Sequence, residues 1–204
     1  MEFAKEIEEI LNSENFIAVG GVVRDYILSL PTKDIDLIYC ADISSLRSKL
    51  CSSFSLVNVK DNPNYLSISF SYRGFDFTIT NARKDFYNPF HCERATLEED
   101  ANRRDFTINT IMFDINKHKY IDYLSGMRDL RNGIIRRVAS FEDDPSRVVR
   151  AIRFRAILNF DFSDSTRKEV EEALQTLDLN NYRVRKEIRK MEELGLSTNL
   201  KEYV

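Results

Sequence analysis

Apolar and polar positions follow two different periods along this chain, and the change between them divides it. Up to about residue 140 most apolar runs are short and strand-like, whereas from Pro145 onward they recur at helical spacing. At the start, Phe3, Ile7, Ile10 and Leu11 predict a helix over 3–11. FIAVGG (16–21) predicts a buried strand ending in a tight glycine turn, and VVRDYILSL (22–30) a helix stopped by the Pro31 region. IDLIYC (35–40) predicts a second strand with Ile35, Leu37 and Tyr39 on one side and Asp34, Asp36 and Ile38 on the other. A helix over 42–50, with Asp42 or Ser44 near its cap, precedes strands at FSLVNV (54–59), YLSISFS (65–71) and FDFTI (75–79).

The stretches around 60–64 and 87–90 read as loops, and 81–100 as an open polar segment. FTINTIMFDI (106–115) and KYIDYL (119–124) predict a strand and its hairpin partner, although FTINTIM is also compatible with a helical start. SGMRDLRNGIIRRV (125–138) reads as a polar turn region plus a short strand. Beyond it, Val148, Ala151 and Ile152 define one face of a helix, with Pro145 in its first turn and Asp143 and Asp144 at its positive end. DSTRKEVEEAL (164–174) and YRVRKEIRKMEEL (182–194) predict two more helices. The expectation is an α+β chain: a mixed sheet with helices over 1–140, then a purely helical extension over 141–204.

Composition narrows the class. A chain of 204 residues with 43% hydrophobic and 31% charged residues has room for one substantial core, or one domain with a smaller appendage. The net charge of −3 gives no hint of a polyanionic partner, but residues 101–160 carry twelve Lys/Arg against seven Asp/Glu. That local excess suits RNA or a triphosphate, or a solvated face balanced by acidic helices. The three cysteines, Cys40, Cys51 and Cys92, form no Cys-x-x-Cys and have no histidine cluster beside them. Neither a disulfide framework nor structural zinc is expected, and the pattern fits a reducing compartment. No signal peptide or membrane span is visible in the acidic, amphipathic start, so the expected location is cytoplasmic.

Candidate chemistry concentrates where a glycine turn meets acids. Gly20-Gly21 on its own is a common strand-to-helix turn, but a helix following it would aim amides at a phosphate. Arg24 would pair with that phosphate or bridge to Asp25. Asp34 and Asp36 on one face of a strand repel each other, and a divalent cation relieves that repulsion. Asp76 is the best third carboxylate, opposite the core-facing Phe75 and Phe77; Asp105 competes for the role, or anchors Arg103 or Arg104. With two Mg²⁺ ions these parts suffice for nucleotidyl transfer from a triphosphate to a 3′-hydroxyl, without a histidine base. Arg24, Arg104 and Lys33 would neutralise the triphosphate, against the plainer reading of surface ion pairs. Asp144 and Arg147, one helical turn apart, offer an acceptor and a donor for the edge of a base, or an ordinary i,i+3 pair. Arg150, Arg153 and Arg155 keep the same helix basic, toward the nucleotide, the acceptor backbone or another domain.

In combination, GGVVRD (20–25), KDIDL (33–37), RRDFTIN (103–109), YIDYLSGMRDLRNGIIRRV (120–138), DDPSRVVRAIRF (143–154) and RVRKEIRKMEE (183–193) resemble the class II tRNA nucleotidyltransferase and bacterial poly(A) polymerase family, a polymerase β-like branch. The resemblance implies a nucleotidyltransferase head with a mixed, mainly antiparallel sheet, followed by a short helical neck. It implies metal binding by Asp34, Asp36 and Asp76, and triphosphate binding by Gly20, Gly21 and Arg24. Arg104 and Asp105 match a motif linked to coupling sugar, metal and domain motion. Asp144 and Arg147 inherit recognition of CTP and ATP, with Asp143 standing where glutamate is usual. The implied activity is template-independent addition of CMP and/or AMP to the 3′ end of tRNA. Poly(A) synthesis and CC- or A-only addition are the near alternatives, and an idle RNA-binding module the distant one. Family enzymes continue from the neck into helical body and tail domains, which this sequence does not show; the expectation is a fragment, a natural minimal enzyme, or a protein that draws extra tRNA contacts from a separate subunit or domain.

Overall fold

The computed structural model describes residues 15–53, 56–87 and 89–204. The helix expected over 3–11, and Phe54 and Ser55 of the expected third strand, lie outside the described residues. The chain forms two compact units, Met1–Arg103 with Asn109–Leu124, and Arg104–Ile108 with Ser125–Val204. This division differs from the 1–140 and 141–204 split expected from the sequence, because 104–108 and 125–140 pack with the later helices.

The first unit is built on a seven-stranded sheet. In chain order its elements are β1 (Phe16–Val19), α1 (Gly21–Ile27), β2 (Asp34–Tyr39), α2 (Ile43–Ser53), β3 (Val57–Asn62), β4 (Ser67–Tyr72) and β5 (Phe75–Thr80). There follow β6 (Arg83–Phe86), β7 (His91–Arg94), α3 (Leu97–Asn102), β8 (Met112–Asp114) and β9 (Lys119–Ile121). The strand order is β3-β4-β5-β2-β1-β8-β9. Every neighbouring pair in that order is antiparallel except β2 and β5, which run parallel. The α+β expectation with a mixed, mainly antiparallel sheet therefore holds.

Alternation decides what each face does. Ile35, Leu37 and Tyr39 are buried on one side of β2, and the buried Val22 and Val23 of α1 belong to the helix that packs on this strand. On the other side Ile38 joins Ile17, Val19, Met112 and Ala101 in a core cluster, with Leu97 and Leu124 packed against it. Helix α3 thus contributes to the core below one end of the face that carries Asp34 and Asp36. Its start is fixed by a capping box, in which Thr96 and Glu99 satisfy each other's backbone amides.

Residues 81–100 are not the open segment that their polarity suggested. They form the β6–β7 hairpin and α3, held by charge as well as by the apolar contacts of Leu97 and Ala101: the fully buried Asp100 takes Arg103 at 2.7 Å, and Asp85 takes Arg83 at 2.8 Å. Burial opposes charge on Arg103, but Asp100 and Asp85 raise its pKa above the usual value.

In the second unit, SGMRDLRNGII gives helix α4 (Gly126–Arg131) in place of the expected turn region, followed by the expected short strand, β10 (Ile134–Ile135). Helices α5 (Ser146–Leu158), α6 (Asp164–Thr176) and α7 (Tyr182–Glu193) match the expected three. The extension is not purely helical, since β11 (Asp161–Phe162) pairs in parallel with β10. Near the unit boundary, FTINTIM combines both readings: a 3-10 turn at Thr107–Asn109, then β8. No helix among the described residues is long and apolar enough to cross a membrane.

Candidate active site

In the first unit, strand register assembles a polar face three strands wide. Parallel pairing aligns Asp34 with Asp76 and Asp36 with Thr78, while antiparallel pairing of β4 with β5 sets Ser71 opposite Asp76 and Ser69 opposite Thr78. Partners in register point to the same face, so Ser71, Asp76 and Asp34 form one row and Ser69, Thr78 and Asp36 the next. Asp76 accepts a hydrogen bond from Ser71 Oγ at 2.6 Å, and its backbone amide donates to the Lys33 carbonyl at 2.9 Å. Asp34 and Asp76 are exposed and Asp36 is half-buried, so solvent reaches this carboxylate face.

The glycine turn lies at the same end of the sheet. Antiparallel pairing runs from Phe16 opposite Tyr39 to Ala18 opposite Leu37, so the chain leaves β1 alongside the Asp34–Asp36 end of β2. Gly20 stands at φ 73°, ψ −137°, a conformation in which a side chain is strained, and its carbonyl accepts the Arg24 amide at 3.3 Å. Arg24 itself is buried: Nε donates to Asp25 at 2.8 Å and Nη1 to Asn109 Oδ1 at 2.7 Å. Of its two expected roles the structure displays the bridge to Asp25, while the bond to Asn109 ties α1 to the 109 segment. Lys33 is exposed at the entry to β2.

Oxygen-only donors suit Mg²⁺, which binds through one or two carboxylates together with water and substrate phosphates. Asp34, Asp36 and Asp76 fit that chemistry as a shared face. They do not form a closed cage, since no group of three or more His, Cys, Asp or Glu among the described residues is placed to hold a metal ion.

The remaining expected residues belong to the second unit. Asp105, the rival third carboxylate, is buried; one oxygen accepts the Phe106 amide at 2.9 Å and the other the Arg150 guanidinium at 2.9 Å. Arg150, expected near the nucleotide, also reaches Glu187 at 3.4 Å. Burial opposes its charge, but Asp105 and Glu187 raise its pKa well above the usual value. Half-buried Arg104 offers its carbonyl to the Ala139 amide at 3.1 Å.

Asp144 and Arg147 flank the start of α5 and are braced from opposite directions. Asp144 Oδ1 accepts the Ser146 amide and hydroxyl at 3.1 and 2.6 Å, and Oδ2 accepts Arg183 at 3.2 Å. The buried Arg147 donates from Nη1 to the Ser140 carbonyl at 2.6 Å.

Three supporting residues escaped the sequence reading. Glu187 holds Arg153 at 3.0 Å and Lys190 at 2.8 Å besides Arg150; burial would raise its pKa, but these cations bring it below the ordinary glutamate value. Its signal was legible, because it occupies the buried stripe of α7 between Val184 and Met191. Arg183, from the same helix, carried none beyond its charge. Nor did Asp129, buried in the polar α4, which accepts Thr107 Oγ1 and Arg136 Nε, each at 2.8 Å.

A family model described as Poly A polymerase head domain matches residues 16–136. The A-adding tRNA nucleotidyltransferase of Aquifex aeolicus is 36% identical over 165 residues, covering 76% of this chain and 20% of that protein. The CCA-adding enzyme of Staphylococcus epidermidis is 28% identical over 211 residues, covering 98% of this chain and 51% of that protein. Among solved structures, a tRNA nucleotidyltransferase complexed with a primer tRNA and an incoming ATP analogue superposes with a TM-score of 0.73 at 31% identity, covering 92% of this chain and 55% of that one. A CCA-adding enzyme with ATP gives 0.76 at 27% identity, covering 94% and 48%. The chain therefore spans about half the length, or less, of the curated relatives it matches.

Proposed function

Because the chain belongs to the class II tRNA nucleotidyltransferase and bacterial poly(A) polymerase family, through its Poly A polymerase head domain, we propose that it transfers CMP and/or AMP from CTP or ATP to the 3′ end of tRNA without a template and releases pyrophosphate. The observation that carries this reading is the row-by-row alignment of Asp34, Asp36 and Asp76 on one polar face beside the Gly20 turn. In this reading the first unit is the catalytic head, the second is the neck, and the protein works in the cytoplasm.

Asp34 and Asp36, with Asp76 alongside, would hold Mg²⁺. The ion would supply Lewis acidity, lowering the pKa of the attacking 3′-hydroxyl and offsetting charge on the departing pyrophosphate. Gly20 keeps the turn free of a side chain, so that backbone can approach a phosphate closely. Arg24 acts by holding that turn against Asn109, and the exposed Lys33 supplies a mobile positive charge nearby. In the second unit, Asp144 accepts and Arg147 donates hydrogen bonds at the Watson–Crick edge of the incoming base. Their braces on Ser146, Arg183 and Ser140 fix that edge in advance, and such preorganisation is the condition for discrimination by a protein surface. Asp105, Arg150 and Glu187 maintain the frame on which this helix rests.

Incubation with Mg²⁺, single nucleoside triphosphates and tRNAs ending before C, CC or CCA tests the proposal directly. Extension of a CC-ending tRNA by ATP, or of shorter ends by CTP, is expected; no extension under any combination refutes it. An A-adding activity is the second reading, favoured by the identity to the Aquifex aeolicus protein. It predicts incorporation of AMP on CC ends with no use of CTP at all.

A further inference from the structure

The second unit contains a cavity of about 460 Å³ set between α6 and the segment that leads into α5. This volume lies in the range of small-molecule sites. Its floor is apolar, formed by Phe141, Val148, Ala173 and Leu177. Phe141 and Val148 are themselves 7% and 1% exposed, so this part of the floor belongs to the core of the unit, while Ala173 and Leu177 are half-buried at its open side.

The charge of the lining is one-sided. Glu142, Glu169, Glu172 and Asp178 contribute four carboxylates against the single guanidinium of Arg137. That guanidinium is already engaged, because Nη2 and Nε bind both oxygens of Glu169 while the group lies 5.7 Å from the centre of the Phe141 ring. Arg137 also faces the charge of Glu142, so one guanidinium answers four carboxylates and the lining stays net negative. A phosphate or an RNA strand would meet net negative charge here, so the cavity is unsuited to the substrates proposed above. An inorganic cation would satisfy the rim but leave the apolar floor against water. Both halves are matched by a ligand with ammonium groups joined by methylene chains, which can lay carbon on the floor and charge on the rim.

We propose that this cavity is a binding site for an aliphatic oligoamine of the spermidine class. The ligand would rest against the Ser140–Pro145 segment, whose Ser140 carbonyl holds Arg147. The inference does not depend on the nucleotidyl-transfer reading, and its test measures binding alone.

The experiment is a titration of the whole chain, carrying ¹³C-labelled Val, Ala and Leu methyl groups, with spermidine and in parallel with MgCl₂ at matched charge. Saturable shifts are expected at Val148, Ala173 and Leu177 with spermidine only. The double variant Glu142→Gln, Glu172→Gln should bind about tenfold more weakly, from loss of two exposed charge contacts. Ala173→Leu should abolish the Val148 shift by filling the floor. Both glutamates are exposed, so the double variant keeps the test decisive even where the cavity-filling one disturbs packing. The proposal is overturned if these methyls do not shift at millimolar spermidine, if MgCl₂ shifts them equally, or if the double variant binds as tightly as the parent.

Discussion

Replacing Glu187 with glutamine removes the carboxylate on which three cations converge. Its side chain is 4% exposed, and its partners Arg153, Arg150 and Lys190 are 13%, 35% and 42% exposed. Stranding a buried charge by deleting its partner costs about 3–5 kcal/mol. Arg150 keeps Asp105, Lys190 reaches water and Arg153 keeps the Phe154 ring at 4.8 Å, so the cost falls below that range. A loss of about 2–3 kcal/mol is therefore expected at pH 7, which lowers a urea midpoint by about 1–1.5 M at a slope of ~2 kcal/mol/M. The pH dependence gives an independent check. The folded-state pKa of Glu187 is lowered, so its stabilisation is fully present above the unfolded glutamate pKa of about 4.3 and is lost as pH falls through the lower folded value. The gap between parent and variant should narrow below about pH 4.3. Urea unfolding by circular dichroism at several pH values measures both effects. A loss under about 0.5 kcal/mol at pH 7, or a gap equally wide well below pH 4, would refute the reasoning.

Asp36→Asn should lower the rate of nucleotide addition by about 10²–10³-fold while leaving the melting temperature unchanged or higher, because it relieves repulsion within the carboxylate face; a destabilised protein would indicate a structural role instead. Gly20→Ala places a side chain at φ 73° and should cost about 1–3 kcal/mol in denaturant unfolding, together with weaker use of triphosphate; a neutral substitution would mean that the turn relaxes freely. Asp144→Asn should change the ratio of CTP to ATP use by roughly tenfold or more, as expected for a hydrogen bond to a charged group. Arg183→Met should move the same ratio in the same direction by less, and an unchanged ratio in both variants would remove Asp144 from base selection.

The sequence was most informative where one periodicity ran undisturbed. Two-residue alternation in DIDLIY and FDFTIT placed Asp34, Asp36 and Asp76 on polar faces, and helical spacing located α5, α6 and α7. Alternation does not reveal which strand pairs with which, so the alignment of Asp34 with Asp76 required the structure. The β6–β7 hairpin and α3 were hidden for another reason. Much of their cohesion comes from Asp100, Asp85, Arg83 and Arg103, residues that look like a solvated loop until burial of Asp100 is known. Arg24 and Arg150 were legible as important cations, but the side chains that hold them were not. Their partners Asn109 and Glu187 lie 85 and 37 residues away, beyond the reach of local pattern.

The one parallel pairing in the large sheet also sets an order of events during synthesis. Strands β2 and β5 must meet across an intervening helix and two strands, whereas β1–β2 and β4–β5 can close through shorter connections. Long loops make such contacts slow to form, because chain entropy is lost before the pairing compensates for it. Asp34 therefore emerges from the ribosome well before its neighbour Asp76, and a nascent chain that stops short of residue 76 has no third carboxylate on that face. On the proposed metal-binding reading, affinity on this face should then appear with completion of the sheet, not in stages as each acid is made.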